Sequence, residues 1–527
     1  GYAKVVERLL RVVVIAIVVY VGLLVLTYFE FVRTPVGFVP QQDKGYLILN
    51  VQLPDSASVE RTQNRMAKID DAIFGPRDPK SGKRDASQGI LGVAHTVGIS
   101  GQSLILNANA PNLGSMYIML KPFGERTGSG QSADAIASTI EQRCRSAVRG
   151  ADVKAFPAPP IEGLGTTGGF KMVVEDRGNL GLDSLQRASD AVVNQGNRSG
   201  ELQGLFNSSR FDTPWVRLEI DRTKCLALGV SMTDVFNALQ YNFGSYYVNN
   251  FNEFGRNWQV NVQADPRFRD RFQDVGRLQV RNAQGQMIPL RTVLDVRDIS
   301  GPVLVQRYNL YSAAMVTGNV APGVSTGEGV PIMDGIAAGS LPNSMAYDWT
   351  ELAFMQNEAG NTAIYAFLLA VVFVFLVLAA QYESWKLPLA VILVVPMCLL
   401  FAILGVNLAG LDVTIFTQIG FIVLVGLACK NAILIVEFAK QKQEEGKSAH
   451  EAAVEASRLR LRPILMTSFA FIFGVAPLVM ATGAGAEMRR SLGVAVFSGM
   501  LGVTLFGIFL TPVCYYVLQR IGASRRS

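Results

Sequence analysis

Two kinds of hydrophobic pattern divide this chain. One is the uninterrupted apolar run, about 20 residues long and so able to cross roughly 30 Å of hydrocarbon as a helix. Such runs lie at Leu9–Phe29, Ala363–Ala380, Leu387–Val406, Val413–Phe438, Pro463–Ala481 and Ser491–Leu518, and they predict six membrane spans. The other pattern fills residues 30–362, where apolar positions alternate or recur at helical spacing between turn residues. That region is too long for a loop and sufficient for two or three small domains of α+β type.

Period alone orders the elements there. Tyr46–Leu53 alternates as a strand, Ser58–Phe74 is polar and helical, and Val93–Ile99 and Met116–Leu120 are strand-like. A helix over Ala135–Val148 and a strand over Val153–Phe156 complete the order β-α-β-β-α-β, the split βαβ arrangement. A second cycle starts at Phe170–Glu175, with a helix at Leu182–Asn194 whose Leu182, Leu185, Ala188 and Val192 share one face. It continues through Val216–Ile220, is interrupted by the Asn-, Gly- and Arg-rich stretch Asn242–Ser300 with its short strand Trp258–Val262, and resumes at Val305–Thr317, Gly327–Ile336 and Ala346–Trp349. The pattern fits an insertion within one repeat unit.

Composition agrees with a membrane protein: 50% of residues are hydrophobic and 17% charged. The net charge of +6 does not call for nucleic acid, because the basic residues fall in membrane-flanking segments. Lys4, Arg8 and Arg11 precede the first span, Lys386 lies between the second and third, and Lys440, Lys442, Lys447, Arg458, Arg460 and Arg462 lie between the fourth and fifth. Arg520, Arg525 and Arg526 follow the sixth. An even number of spans puts all of these on one side, which is cytoplasmic by the positive-inside rule; Arg489 and Arg490 are the exceptions. The first span has an apolar run too long for a signal peptide and no A-x-A-like site after it, so it reads as a retained anchor. Cys398, Cys429 and Cys514 lie within spans, and Cys144 and Cys225 are too far apart to suggest a disulfide framework. Between the fourth and fifth spans, Ala449, Ala452, Ala453 and Ala456 form a narrow apolar stripe on Glu444–Leu459, predicting a helix along the cytoplasmic membrane surface. Pro463 then suits the first turn of the next span.

Enzyme chemistry is nearly absent. Gly446-Lys447-Ser448 lacks the first glycine of a phosphate-binding loop, Gln441 standing in its place. Gly323-Val324-Ser325-Thr326-Gly327 matches the G-x-S-x-G pattern, yet His95 and His450 are the chain's two histidines and His450 falls across the membrane from it. A turn at Pro322-Gly323, followed by a helix capped by Ser325 or Thr326, accounts for the motif. Histidines and cysteines form no metal-ligand spacing, and no cofactor is implied. The informative residue is Lys430, which with Asn431 lies deep in the fourth span. An ammonium there is costly unless paired, and Lys440 already marks the interface to which a lysine could snorkel. Glu437, Asp412 and Glu383 sit near span ends, so the spans offer no carboxylate at its depth; the partner must come from another polypeptide or from a further part of this one. Thr467, in the fifth span, is a second polar candidate, whose alternative is a back-bond within its own helix.

The runs GLACKNAILIVEFAK (Gly426–Lys440) and RLRLRPILMTS (Arg458–Ser468) resemble the fourth and fifth helices of the C-terminal half of resistance-nodulation-division (RND) multidrug efflux pumps, in the hydrophobe/amphiphile branch. Phe38–Pro54, Asp212–Arg222, Tyr247–Gln263, Ala321–Glu328 and Tyr382–Trp385 are similar to family segments in the same order. The resemblance implies a secondary active transporter, not an enzyme. It would be a homotrimer in the inner membrane, driven by proton influx, exporting amphiphilic small molecules through a periplasmic adaptor and an outer-membrane channel. By the same resemblance Lys430 matches the lysine that pairs with two intramembrane aspartates, Thr467 the threonine beside them, and Arg460 an arginine linked to proton movement. Asn431 joins this proton-relay set. Those aspartates belong to the family's N-terminal half, which is the implied partner.

The implied fold is a six-helix membrane domain plus a periplasmic porter domain of ferredoxin-like βαββαβ subdomains with a docking-domain insertion. Its divisions are a first span (1–30), a first porter subdomain (31–155), a second in two parts (156–222 and 303–360) around a docking insertion (223–302), five spans with a cytoplasmic helix near 444–459 (361–520), and a tail (521–527). Phe156 and Tyr117 fall on substrate-path aromatics. Ser100–Gly114 aligns with a flexible loop between drug pockets, with Ser103, Leu104 and Ile105 where the family has phenylalanines; Phe206 and Lys154 also replace other residue types. Two other functions remain open: an RND-like translocation subunit for protein or lipid, and a membrane-anchored assembly protein in which Lys430 is dispensable.

Overall fold

A computed structural model describes residues 1–77, 84–128, 130–360 and 362–523; residues 524–527 of the expected tail lie outside the described residues. Among the described residues, six helices are long and apolar enough to cross a membrane. The chain divides into two compact units, residues 1–209 with 306–527, and residues 210–305.

The expected first helix is in fact two, α1 (Tyr2–Arg11) and α2 (Val13–Arg33), broken at Val12. Helix α1 buries Val6 and Leu10 and turns Glu7, Arg8 and Arg11 elsewhere, a two-faced pattern unsuited to hydrocarbon; α2 is apolar all round and supplies the span.

The first sheet comprises β1 (Tyr46–Gln52), β2 (Val93–Ser103), β3 (Ala108–Leu120) and β4 (Asp152–Pro157), ordered β2-β3-β1-β4 and antiparallel throughout. Helices α3 (Val59–Phe74) and α4 (Ala133–Ala147), capped by Ser58 and Ser132, cover one face. Leu47, Leu49, Val51, Met116 and Ile118 point into that core with Ile69, Ile73, Ile136 and Ile140. Because side chains alternate, the opposite face carries Ile48 and its cross-strand partners Tyr117 and Phe156. The stretch Ser100–Gly114, expected as a loop, is mostly strand: Ser100 pairs with Gly114, Gln102 with Asn109 and Ser103 with Ala108. The turn is confined to residues 104–107, closed by Asn107 at φ 50°.

Next come β5 (Phe170–Asp176), α5 (Leu182–Arg198) and β6 (Leu202–Asn207). The second compact unit follows, with β7 (Thr213–Ile220), α6 (Arg222–Ala227), α7 (Met232–Leu239), β8 (Tyr246–Glu253), β9 (Arg256–Val262), α8 (Phe272–Arg277), β10 (Gln279–Arg281), β11 (Met287–Pro289) and β12 (Leu294–Gly301) around Cys225, Val235, Leu290 and Val293. The chain then returns through β13 (Gln306–Tyr308), β14 (Tyr311–Val320), α9 (Thr326–Ser340) and β15 (Met345–Thr350). The second sheet runs β13-β14-β5-β15, with β6 also paired to β14. The strand expected to continue this cycle, Val216–Ile220, instead pairs with β12 inside the second unit. Its place is taken by β6, which Gln203 and Gly204 disguise by interrupting the apolar alternation.

Helix α10 (Glu351–Ala359) leads into α11 (Thr362–Tyr382), α12 (Leu387–Ile392), α13 (Val395–Leu408), α14 (Ile415–Glu444), α15 (Ala449–Val479), α16 (Ala486–Gly502) and α17 (Ile508–Ala523), with a π-helical turn at Val503–Gly507 joining the last two into one span. Close packing of α16 rests on glycines: a Cβ on Gly499 would lie 2.4 Å from Leu424 of α14, and one on Gly502 2.3 Å from the Phe401 ring of α13. The separate surface helix expected over Glu444–Leu459 is not seen. From Ala449 the chain is one helix of 31 residues running through Pro463 into the span. The alanine stripe explains this, since Ala452, Ala453 and Ala456 are buried in protein contacts rather than left for a lipid surface. Pro463 therefore sits inside a helix, not in its first turn.

Candidate functional site

Thr414 caps α14, its hydroxyl accepting from the Thr417 amide, and the helix is two-sided in packing though not in polarity. One face, including Gly420, Leu424, Val425, Ala428, Asn431, Ala432 and Ile435, is buried in the bundle. The opposite stripe, Ile419, Val423, Gly426, Lys430 and Glu437, is exposed, its spacing that of one helical face. Lys430 is thus deep along the span, but the described residues leave it uncovered and form no ion pair with it. The expectation of burial is corrected in one respect: burial depends on whatever covers this stripe.

Asn431, the next residue, points inward, and its Nδ2 donates to Ser468 Oγ of α15 at 3.0 Å with both groups buried. In hydrocarbon an amide and a hydroxyl have few other partners, so this bond fixes the rotation of α14 against α15. Sequence reading passed over Ser468; its signal was a small polar residue one position from Thr467 on a span. Thr467 itself is half-buried and back-bonds to the Ile464 carbonyl at 3.1 Å. Arg460 lies a further two turns toward the cytoplasmic end, its guanidinium 3.4 Å from the centre of the Phe438 ring of α14. Its Nε is buried without a hydrogen-bond partner among the described residues. The structure therefore unites Asn431 and Ser468 at the α14–α15 contact, leaves Thr467 bonded within its own helix, sets Lys430 on the adjoining open stripe, and clamps Arg460 against α14 lower down.

A second site lies outside the membrane. Phe156 and Phe206, from the two sheets, pack with ring centres 5.5 Å apart, and Ile105 completes a small buried cluster. Ser103 is buried, donating to Asn50 Oδ1 at 3.1 Å, while the Leu104 amide donates to Ser115 Oγ at 2.9 Å. Leu104 is half-buried. Tyr117 is half-buried on the same sheet face, tilted against Tyr46 at 6.4 Å. Beside Phe156 opens a cleft of about 510 Å³ lined by Asp134, Glu141, Arg145, Lys154, Asn197 and Gln203 among others. Of the expected path residues, Ile105, Phe156 and Phe206 are brought together, whereas Ser103 is taken up by Asn50 of β1 and by the Leu106 amide of its own hairpin.

Six spans among the described residues, a β-rich region between the first two, and an intramembrane ammonium beside a polar helix contact define a multi-pass membrane protein with a large region outside the spans. The match with known proteins is specific: residues 1–519 fit the AcrB/AcrD/AcrF family, and the chain belongs to it. It is 35% identical over 525 residues to the multidrug/solvent efflux pump membrane transporter MepB of Pseudomonas putida, covering 100% of this chain and 48% of that protein. It is 35% identical over 512 residues to the multidrug export protein AcrF of Escherichia coli K12, and 36% over 515 residues to the multidrug resistance protein MdtF of Escherichia coli O157:H7, each match covering 97% of this chain and 48% of the relative. The chain spans about half the length of the curated relatives it matches. Membership and spans together make it a multi-pass inner-membrane protein with a large periplasmic region.

Proposed function

We propose that this chain acts as the C-terminal half of a proton-driven exporter of amphiphilic compounds. The observation that carries the proposal is Lys430: a cation deep in a span, on a helix face that none of the described residues covers, directly beside a hydrogen-bonded helix contact. Seating a second half that bears carboxylates over that stripe would bury the ammonium against its counter-charge, since a buried cation without one costs several kcal/mol. Protonating the carboxylate would weaken the pair and let α14 shift against its new neighbour, the differential interaction that any coupled change of state requires. Thr467 and Arg460 would serve the same relay, with Asn431 holding the helix orientation.

The two sheets, each with strand order and helices of the βαββαβ pattern, support reading 31–155 as one ferredoxin-like porter subdomain and 303–360 with the first part of 156–222, up to residue 209, as the other. The separate unit at 210–305 supports a docking insertion slightly longer than 223–302. The cluster of Ile105, Phe156 and Phe206 would hold the apolar part of an amphiphile, and the adjoining cleft, lined by Asp134, Glu141, Arg145 and Lys154, its polar or charged head. A homotrimer working with a periplasmic adaptor and an outer-membrane channel completes the proposal. The test is Lys430→Met in the chain expressed with its complementary half: cells should lose export of a fluorescent amphiphile while membrane abundance is unchanged. Export at the wild-type rate would refute the coupling role.

A further inference from the structure

Helix α9 lies beside the second sheet and α14 in the membrane, yet the N-cap of the first and the link leading into the second meet through side chains. Ser325 is the N-cap of α9; its hydroxyl donates to Asp412 Oδ2 at 2.7 Å, and the same oxygen accepts from the Gly327 amide. Glu328 completes a capping box by accepting from the Ser325 amide. Asp412 belongs to the short link between α13 and α14, two residues before the Thr414 cap, and its carboxylate also accepts from the Thr326 amide. A carboxylate borrowed from the membrane domain thus sits at the positive end of a helix of the extracytoplasmic domain. Half-burial and the nearby Glu328 push the Asp412 carboxyl above its usual range, against the opposing pull of these hydrogen bonds.

The backbone around this contact is tied on three sides. The strand-like segment after α2 runs parallel to the link: Val413 N donates to Pro35 O at 2.9 Å, Gly37 N to Val413 O at 3.2 Å, and Ile415 N to Phe38 O at 3.1 Å. Helix α9 presses onto that segment so closely that a Cβ on Gly327 would stand 1.8 Å from the Val36 carbonyl oxygen. On its far side α9 packs its Val330, Met333, Ile336 and Ala337 inward beneath the second sheet. The route from the N-terminus of α14 to the sheet that carries Phe206 therefore contains no slack: a fixed three-way backbone joint, one short side-chain bond and a packed helix.

We propose that Asp412 and Ser325 form the joint through which displacement of the Lys430 helix reaches the extracytoplasmic sheets, Asp412 acting as a positioning residue through α9. This rests on the proton-coupled reading above. A rigid connection is what rigid-body rearrangement of packed elements needs, since a shift of one to two ångströms, of the size seen for helices at moving interfaces, is lost in a flexible link.

The test uses the chain together with its complementary half in proteoliposomes, with ethidium as the amphiphilic probe, reading ethidium binding and ethidium-stimulated proton flux separately. Asp412→Ala should cut stimulated flux about tenfold while leaving ethidium affinity within about twofold, a loss of coupling without a loss of site. Asp412→Asn should keep most of the flux, because its amide oxygen still accepts from Ser325. Should Asp412→Ala not insert, Ser325→Ala, which deletes one hydroxyl, carries the same expectation. The proposal is overturned if the alanine variants retain wild-type stimulated flux, or if Asp412→Asn loses as much as Asp412→Ala. Lys430→Met run in parallel separates the two ideas: its full retention of flux removes proton coupling itself, while its loss alongside an unaffected Asp412→Ala removes the joint alone.

Discussion

Arg126 offers the sharpest energetic test of the extracytoplasmic architecture. Its side chain is 2% exposed and makes four hydrogen bonds within the first domain. Nη1 and Nη2 reach the two oxygens of Asp43 at 2.7 and 3.1 Å, Nε reaches the Lys121 carbonyl at 2.8 Å, Nη1 also reaches the Gln131 carbonyl at 3.2 Å, and the guanidinium stacks over Phe123 at 4.8 Å. Asp43 in turn accepts from the amides of Gly45 and Ala133, so the pair ties the approach to β1 to the start of α4. Breaking a buried pair from one side costs about 3–5 kcal/mol. Arg126→Met belongs at the lower end, near 3 kcal/mol, because Asp43 keeps two amide donors and remains 17% exposed. The chain has two compact units and no single unfolding transition to read, so the assay is local: hydrogen exchange of peptides spanning residues 121–147. At tenfold per about 1.4 kcal/mol, protection of the first turns of α4 should fall by roughly two orders of magnitude. Asp43→Asn combined with Arg126→Met should lose much less than the sum of the single changes, since no unpaired charge is left. Additive losses, or α4 protection unchanged in Arg126→Met, would refute the account.

Two further expectations concern packing and titration. Gly502→Ala should lower thermal stability of the detergent-solubilised chain, because up to about 1 kcal/mol of helix propensity does not offset the roughly 1–3 kcal/mol of overpacking against the Phe401 ring, which is itself tilted against Phe506 at 5.1 Å. Gly474→Ala, where a Cβ meets nothing within 4 Å, should be neutral or slightly stabilising, and a reversed order would contradict the packing. Cys144 is 1% exposed and burial pushes its thiol up to about 11. Its folded-state pKa is raised, so the protonated thiol is favoured: the contribution to stability is intact below the ordinary thiol range and declines as pH climbs through about 11. Maleimide at pH 8 should therefore leave Cys144 unlabelled in the folded chain and label it after denaturation; labelling of the folded chain would show the site to be open.

What the sequence alone determined follows from local and one-dimensional physics. Six apolar runs specify spans because hydrocarbon thickness sets a length and backbone hydrogen bonding demands a helix within it, and the strands of the first sheet announce themselves by alternation. Lys430 stood out because an ionised side chain in such a run is costly wherever the rest of the chain goes. Even the cap on α9 was legible to within one residue, Ser325 or Thr326, from the turn at Pro322-Gly323 before it, and the structure set it at Ser325.

Tertiary structure decided whatever depends on a neighbour remote in sequence. Val216–Ile220 carries a good strand pattern, but pairing partners lie outside a local window, and β12 took it into the second unit while the weakly patterned β6 entered the sheet. The alanine stripe of Ala452, Ala453 and Ala456 looks alike whether it meets lipid or helices; contacts with the bundle joined it to the following span. For the same reason Lys430 could be called deep from sequence but its exposure could not be known, because the stripe it occupies is bare in this half of the family's length. The bond from Asn431 to Ser468, and that from Ser325 to Asp412, bridge 37 and 87 positions. No pattern encodes such separations, and only the folded chain sets those groups face to face.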